Sequence, residues 1–331
     1  MEKQGSEAVA INADEKVTEI KSVFQKFKKS NFARNFKRNW SYLLFLIPAV
    51  LVTFIFAYIP IYGLLIAFQE YMPGDQLMGP NTIWVGFDNF TRFFNDYMFW
   101  KLMGNTFLLC ILGFIIGFPL PIIVALMLHT TKNKKLSKFL QTVFNGPHFI
   151  SLVVLVGMLY LFFGRYGLVN NIMESAGGER YSFFLESKAF RPLYILSSNW
   201  QDFGWSSIIY LAALSGVDPA QHEAATLDGA SRFQRVLHID FPAISSIVSI
   251  MLIMSIGGLM GVGYEKVLLM QTDGNIDTSE IISTYVYKKG LTGLPDQGYA
   301  TAVGLFNSVI NLALLIIANT ISKRFSENSL F

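Results

Sequence analysis

The sequence predicts an all-α integral membrane protein with six transmembrane helices, and three observations carry that prediction. Of 331 residues, 52% are hydrophobic and only 15% are charged, against about 25% charged in soluble domains. The mean hydropathy is +0.42. Six apolar stretches, at about 41–69, 104–129, 146–164, 194–214, 241–263 and 299–322, each approach the roughly 20 residues a helix needs to cross a bilayer. The basic residues are also distributed unevenly. Of 26 Lys and Arg, 17 lie in 1–40, 130–145, 215–240 and 323–331, and loops rich in Lys and Arg stay on the inner side. Both termini are therefore expected in the cytoplasm.

Taken in order, residues 1–40 form a cytoplasmic N-terminal segment. Its first 23 residues are polar, with no apolar core or cleavage site of a signal peptide. Lys26, Lys28, Lys29, Arg34, Lys37 and Arg38 follow, with no acid between Phe24 and Trp40. The membrane domain runs over 41–323 and a short cytoplasmic tail over 324–331. Pro48 and Pro60 fall inside the first span, where a missing N–H should kink or break the helix. The loop Thr130–Asn145 carries four Lys and no acid.

Loop 215–242 contains two short helix signatures. Asp218 is an N-cap, Pro219 suits the first helical position, and Gln221 completes a capping box. Gly229 supplies the left-handed residue that ends this helix. Ser231 and Gln234 form a second capping box, and Pro242 marks a stop or turn before the fifth span. Small residues at Ala224 and Ala225 allow close approach of a partner, with Glu223 and Asp228 as polar anchors.

Several functions are excluded. The single Cys110 allows neither an internal disulfide nor a zinc–thiolate cluster. A net charge of +3 gives no case for nucleic acid. No G-x-x-x-x-G-K-[ST] phosphate loop occurs, so any ATP is bound by another subunit. Acids and His are scarce in the spans, against the ion-coupled secondary carrier or channel that is the main alternative. No nucleophile–base pair or carboxylate dyad points to an enzyme, and no catalytic residue is expected.

The run Glu223-Ala-Ala-x-x-Asp228-Gly229-Ala230, followed by Phe233, Ile239, Phe241 and Pro242, resembles the EAA loop of ABC-importer permeases. Phe241 stands where that pattern has Leu, and Val236 where it has Phe. Tyr58-Ile-Pro-Ile-Tyr-Gly63, Ala67-Phe68-Gln69, Trp84-Val-Gly-Phe-Asp-Asn-Phe90, Tyr299-Ala-Thr-Ala-Val-Gly-Leu-Phe-Asn307 and the terminal Ser329-Leu-Phe331 are similar to the LplB-like, type I carbohydrate permeases. The resemblance implies a bacterial plasma-membrane importer for an oligosaccharide. In it, Glu223, Ala224, Ala225, Asp228 and Gly229 belong to a coupling helix that docks into an ATPase. It further implies a second homologous permease subunit, a cytoplasmic ATPase dimer holding ATP and Mg, and an extracellular solute-binding lipoprotein. No cofactor is then needed in this chain.

Sugars are bound by aromatic faces and planar polar groups. The run Ser198–Trp205 at the expected outer start of the fourth span offers Trp200, Asp202 and Trp205, which also fits an interfacial aromatic belt. Asp202 is the best single candidate, because an acid at a span's end needs a reason. His148 reads as a helix-start residue, and His222 and His238 as partner-facing rather than metal ligands; no metal site is expected. Gly257 and Gly261 read as a helix-packing face. Asp273, Asn275 and Asp277 form a polar turn with too few ligands for calcium.

Overall fold

The computed structural model describes residues 31–325. Most of the basic N-terminal segment and the Ser329–Phe331 match lie outside the described residues. The chain divides into two units, up to Gly63 and from Leu64 onward. In the first, helix α1 (Asn31–Thr53) starts ten residues ahead of the first predicted span and passes through Pro48 without ending. The departure from α geometry comes ahead of Pro60. A π turn occupies Phe54–Tyr58, where Ile59 N–H bonds to Phe54 O, and a 3-10 segment follows over Ile59–Phe68. Pro60 has no N–H for Phe56, and its ring would press on that carbonyl. Widening the preceding turn by one residue relieves the clash. Phe45 and Phe56 are 79% and 75% exposed, as side chains facing lipid would be.

The second unit begins with α2 (Asp88–Phe94), α3 (Phe99–Gly117), α4 (Pro119–Thr130) and α5 (Lys134–Asn145). Then come α6 (Leu152–Phe163), α7 (Leu168–Ser175) and the long α8 (Ser187–Leu214). Two short helices, α9 (Pro219–Leu227) and α10 (Arg232–Arg235), lead into α11 (Phe241–Gly257). The unit closes with α12 (Tyr264–Met270), α13 (Ile276–Ser279), α14 (Ile282–Leu291) and α15 (Gln297–Phe325). Among the described residues the sole β contact is an isolated bridge, Gln69 with Trp84.

Among the described residues, five segments are long and apolar enough to cross a membrane: Leu44–Phe68, Phe99–Thr130, Leu152–Ser175, Arg232–Gly257 and Gln297–Ser322. Helix α8, which contains the predicted fourth span, has 28 residues but carries Lys188, Arg191 and Asp202, which lower its hydropathy. The third helical segment begins at Leu152 rather than 146. Gly146–Phe149 form a 3-10 turn instead, and Ser151 then caps α6 by accepting from Val154 N–H. The fifth ends at Gly257 rather than 263, where closely spaced glycines begin.

Close helix approach depends on glycine. A Cβ on Gly204 of α8 would overlap the backbone carbonyl of Phe144 in α5. One on Gly257 would lie 2.5 Å from Leu315 Cδ1 in α15, in keeping with its packing role. Gly261, by contrast, sits in the turn beyond the helix end, so the two do not form one face. Among the described residues the core has three clusters. Leu109, Leu159, Phe190 and Val267 form the first; Phe93, Leu102, Tyr299 and Val303 the second; Ile122, Ala125, Tyr210 and Ile244 the third.

The Trp84–Phe90 motif has an architectural explanation. Buried Asn89 donates to the carbonyls of Ala67 and Gln69, at 3.0 and 3.1 Å. Gly86 adopts φ +60, and Val85 N–H bonds to Phe68 O. These contacts satisfy carbonyls at an irregular helix end, which would otherwise be left unpaired. Nearby, Asp96 accepts from Met98 N–H and from the hydroxyls of Tyr285 and Tyr299. Burial raises the Asp96 carboxyl, but those donors outweigh it and hold it below its ordinary value. Replacing Asn89 with Ala should cost about 1–3 kcal/mol, the usual penalty for orphaning buried polar groups. A lowered unfolding midpoint in detergent checks this.

Candidate functional site

Loop 215–242 is built as its local chemistry dictates, with two differences. Asp218 Oδ1 accepts from Ala220 N–H at 2.9 Å and Pro219 opens α9. No Gln221 side-chain bond returns to Asp218, so the first capping box is not closed; the Asp carboxylate is short and is satisfied one residue earlier. Gly229 has φ +81, and Ala230 N–H reaches back to Ala225 O at 2.8 Å. The Ser231–Gln234 capping box is present in both directions. Pro242 does not stop the chain. Val236–Asp240 form a π turn in which Phe241 N–H bonds to Val236 O, and α10 runs through it into α11. As at Pro60, one extra residue per turn accommodates the ring.

No residue of α9 is buried. Glu223, Ala224, Asp228 and Gly229 are exposed and Ala225 is half-buried. Leu227 is 90% and Phe233 74% exposed. The short, capped helix α9 and its C-cap thus present small residues, two acids and the bare Leu227, and α10 adds the exposed Phe233. Local capping chemistry revealed the helix in the sequence, but not that Leu227 points outward.

The predicted pathway residues lie in the middle of α8, not at its start, because the helix begins at Ser187. The fold also separates them. Asp202 Oδ1 lies 2.9 Å from His148 Nδ1, and the His148 ring stacks on Trp205 at 4.6 Å between centroids. His148 is therefore more than a helix-start residue: it links the acid to the indole. Trp205 lines a cavity of about 640 Å³ with Cys110, Gly113, Gly117, Met254 and Ser255. Trp200 lines a different, apolar cavity of about 760 Å³ with Leu155, Phe162 and Pro192.

Lys266 was not anticipated from the sequence. It is 4% exposed, and its Nζ donates to Ser198 Oγ at 2.7 Å and lies 5.1 Å from the centre of the Tyr194 ring. Burial pushes its pKa down to about 8, with Asp202 opposing the shift. In the polar turn, Asn275 is buried and donates to Phe184 O and Met270 O, while Asp277 pairs with Lys101; both roles are structural.

Tertiary contact also brings His222 to residues far away in sequence. His222 Nε2 lies 3.0 Å from Oδ1 of Asp240, and His129 Nε2, from the end of α4, lies 3.6 Å from the same atom. His238, four residues from Gln234, instead contacts that residue's carbonyl.

Residues 117–327 match the family described as "Binding-protein-dependent transport system inner membrane component", which is more than half the chain. The chain belongs to that family. It is a multi-pass membrane protein, as the family's description as an inner membrane component and the five apolar segments among the described residues indicate. Protein LplB of Bacillus subtilis is 42% identical over 88% of this chain and 91% of its own length. The polygalacturonan/rhamnogalacturonan transport system permease protein YteP of the same organism is 38% identical over 93% and 96%. Among solved structures, a chain of a bacterial alginate ABC transporter, in complex with alginate pentasaccharide-bound periplasmic protein, aligns with a TM-score of 0.81. It is 34% identical, and the alignment covers 91% of this permease and 100% of that chain.

Gly229 occupies the left-handed region with no atom within 4 Å of a built Cβ, so a substitution is strained only through its backbone. Gly229→Ala should raise the local energy by about 1–2 kcal/mol. Exchange of the amide hydrogens at 229 and 230 should then accelerate about 5–30-fold, with distant α8 amides unchanged.

Proposed function

We propose that this chain is the permease subunit of an ATP-driven ABC importer and forms half of the translocation pathway for an oligosaccharide. What carries the reading is α9: a short, doubly capped helix with no buried residue, bearing Glu223, Ala224 and Ala225 and ending at Asp228 and Gly229, in a member of a binding-protein-dependent permease family. An isolated helix of nine residues is marginal in water by itself. Its caps hold it preformed, and its exposed Leu227 offers apolar surface that a groove on a partner would remove from water.

In this reading α8 supplies the fourth of six spans, both termini are cytoplasmic, and loop 215–242 faces a cytoplasmic ATPase dimer that binds ATP and Mg. A second homologous permease completes the pathway, and an extracellular solute-binding lipoprotein delivers the sugar. Closure of the ATPase dimer moves α9, and the cavity alternates between sides. The oligosaccharide assignment is supported by the named cargo of two relatives, polygalacturonan/rhamnogalacturonan and alginate. Among the pathway candidates, the Asp202–His148–Trp205 group is favoured, since His148 joins the acid to an indole that itself lines the cavity of about 640 Å³. Trp200 serves the apolar flank.

Glu223→Lys and Gly229→Leu should each abolish sugar-dependent growth and capture of the ATPase, while the permease still reaches the membrane. Retention of both activities in both variants would overturn the docking assignment.

A further inference from the structure

A fully buried carboxylate needs a partner charge or hydrogen bonds, because its desolvation is otherwise very costly. Asp240 is 0% exposed, yet neither carboxylate oxygen takes part in a hydrogen bond. The Nε2 of His222 is also buried without one. It lies 3.0 Å from Oδ1, yet the two atoms do not form a hydrogen bond. The groups that do approach the carboxylate are two imidazole nitrogens.

We propose that His129, His222 and Asp240 bind a zinc ion. The three ligand atoms all lie within 4.8 Å of one another. Tetrahedral zinc with bonds of about 2.0–2.1 Å places neighbouring ligand atoms roughly 3.3 Å apart, and the separations of 3.0 and 3.6 Å bracket that value. Two imidazoles and one carboxylate suit zinc better than the hard, oxygen-preferring cations. The fourth position opens to a cavity of about 230 Å³ that Lys132, Arg232 and Arg235 also line. Arg235 Nη1 is held by Thr226 Oγ1 at 2.6 Å. These bases oppose a dication, so the fourth ligand is an anion such as chloride or hydroxide, which the same bases attract.

The ion would join the end of α4, helix α9 and the π turn before α11. Zinc would therefore fix the exposed helix against the membrane domain. That regulatory consequence rests on the docking role proposed above; the binding site does not.

The test uses the purified full-length chain in detergent, stripped by a chelator and titrated with ZnCl₂ and, separately, CoCl₂. One zinc per chain is expected, with tetrahedral Co²⁺ absorption bands. His129→Ala, His222→Ala and Asp240→Asn should each weaken binding by at least about 10–100-fold. His222→Cys should keep a ligand and add a thiolate charge-transfer band, which answers loss of binding through misfolding. His238→Ala, in the same loop but outside the cluster, should bind normally. Absence of stoichiometric binding, or binding indifferent to the three cluster substitutions, would overturn the proposal. Capture of the ATPase by the zinc-free wild type tests the docking role separately.

Discussion

Inside a bilayer no water is available to a bare N–H or C=O, and every backbone polar group must find its partner within the protein. That constraint shapes this chain more than any side-chain contact. It makes the long apolar segments helical, and it determines what happens where a proline interrupts them. Pro60 and Pro242 are each preceded by a five-residue π turn, Phe54–Tyr58 and Val236–Asp240. In both, the residue before the proline bonds five positions back, so the chain continues where an α-helix would have clashed.

The irregular turn at Val236–Asp240 has a consequence for the loop beside it. It inserts an extra residue just before α11, and in the resulting register Asp240 is fully buried while Phe233 stays exposed. Asp240 thereby meets His222 of α9 and His129 of α4. The exposed helix is thus connected to the membrane domain through charged and polar groups, and its outer face is left free. Such an element can be shifted as a unit by a partner, because little apolar surface holds it in place.

Elsewhere, contact distance is controlled by glycine. Gly204, Gly257 and Gly298 lie where another segment's atoms occupy the space of a Cβ: the Phe144 carbonyl, the Leu315 side chain and the Gln69 carbonyl respectively. Without a hydrophobic driving force between helices in lipid, close van der Waals approach and polar contacts must supply the association. Asn89, Asn105 and Gln201 add such polar contacts by donating to carbonyls of other segments.

Local chemistry alone determined much of this protein. Apolar length marked the spans, and the caps at Asp218, Gly229 and Ser231 defined α9 and α10, because each of those signals acts within a few residues. The EAA-type spacing pointed to the family by the same short-range pattern. Tertiary structure decided the rest. It separated Trp200 from Trp205, since five residues on a helix turn two side chains to different faces. It joined His148 to Asp202 across 54 positions and gathered His129, His222 and Asp240 from three elements. It also buried Lys266 beneath Tyr194 and Ser198. Such groupings depend on how helices cross, and no periodicity along one helix records which face of another it will meet.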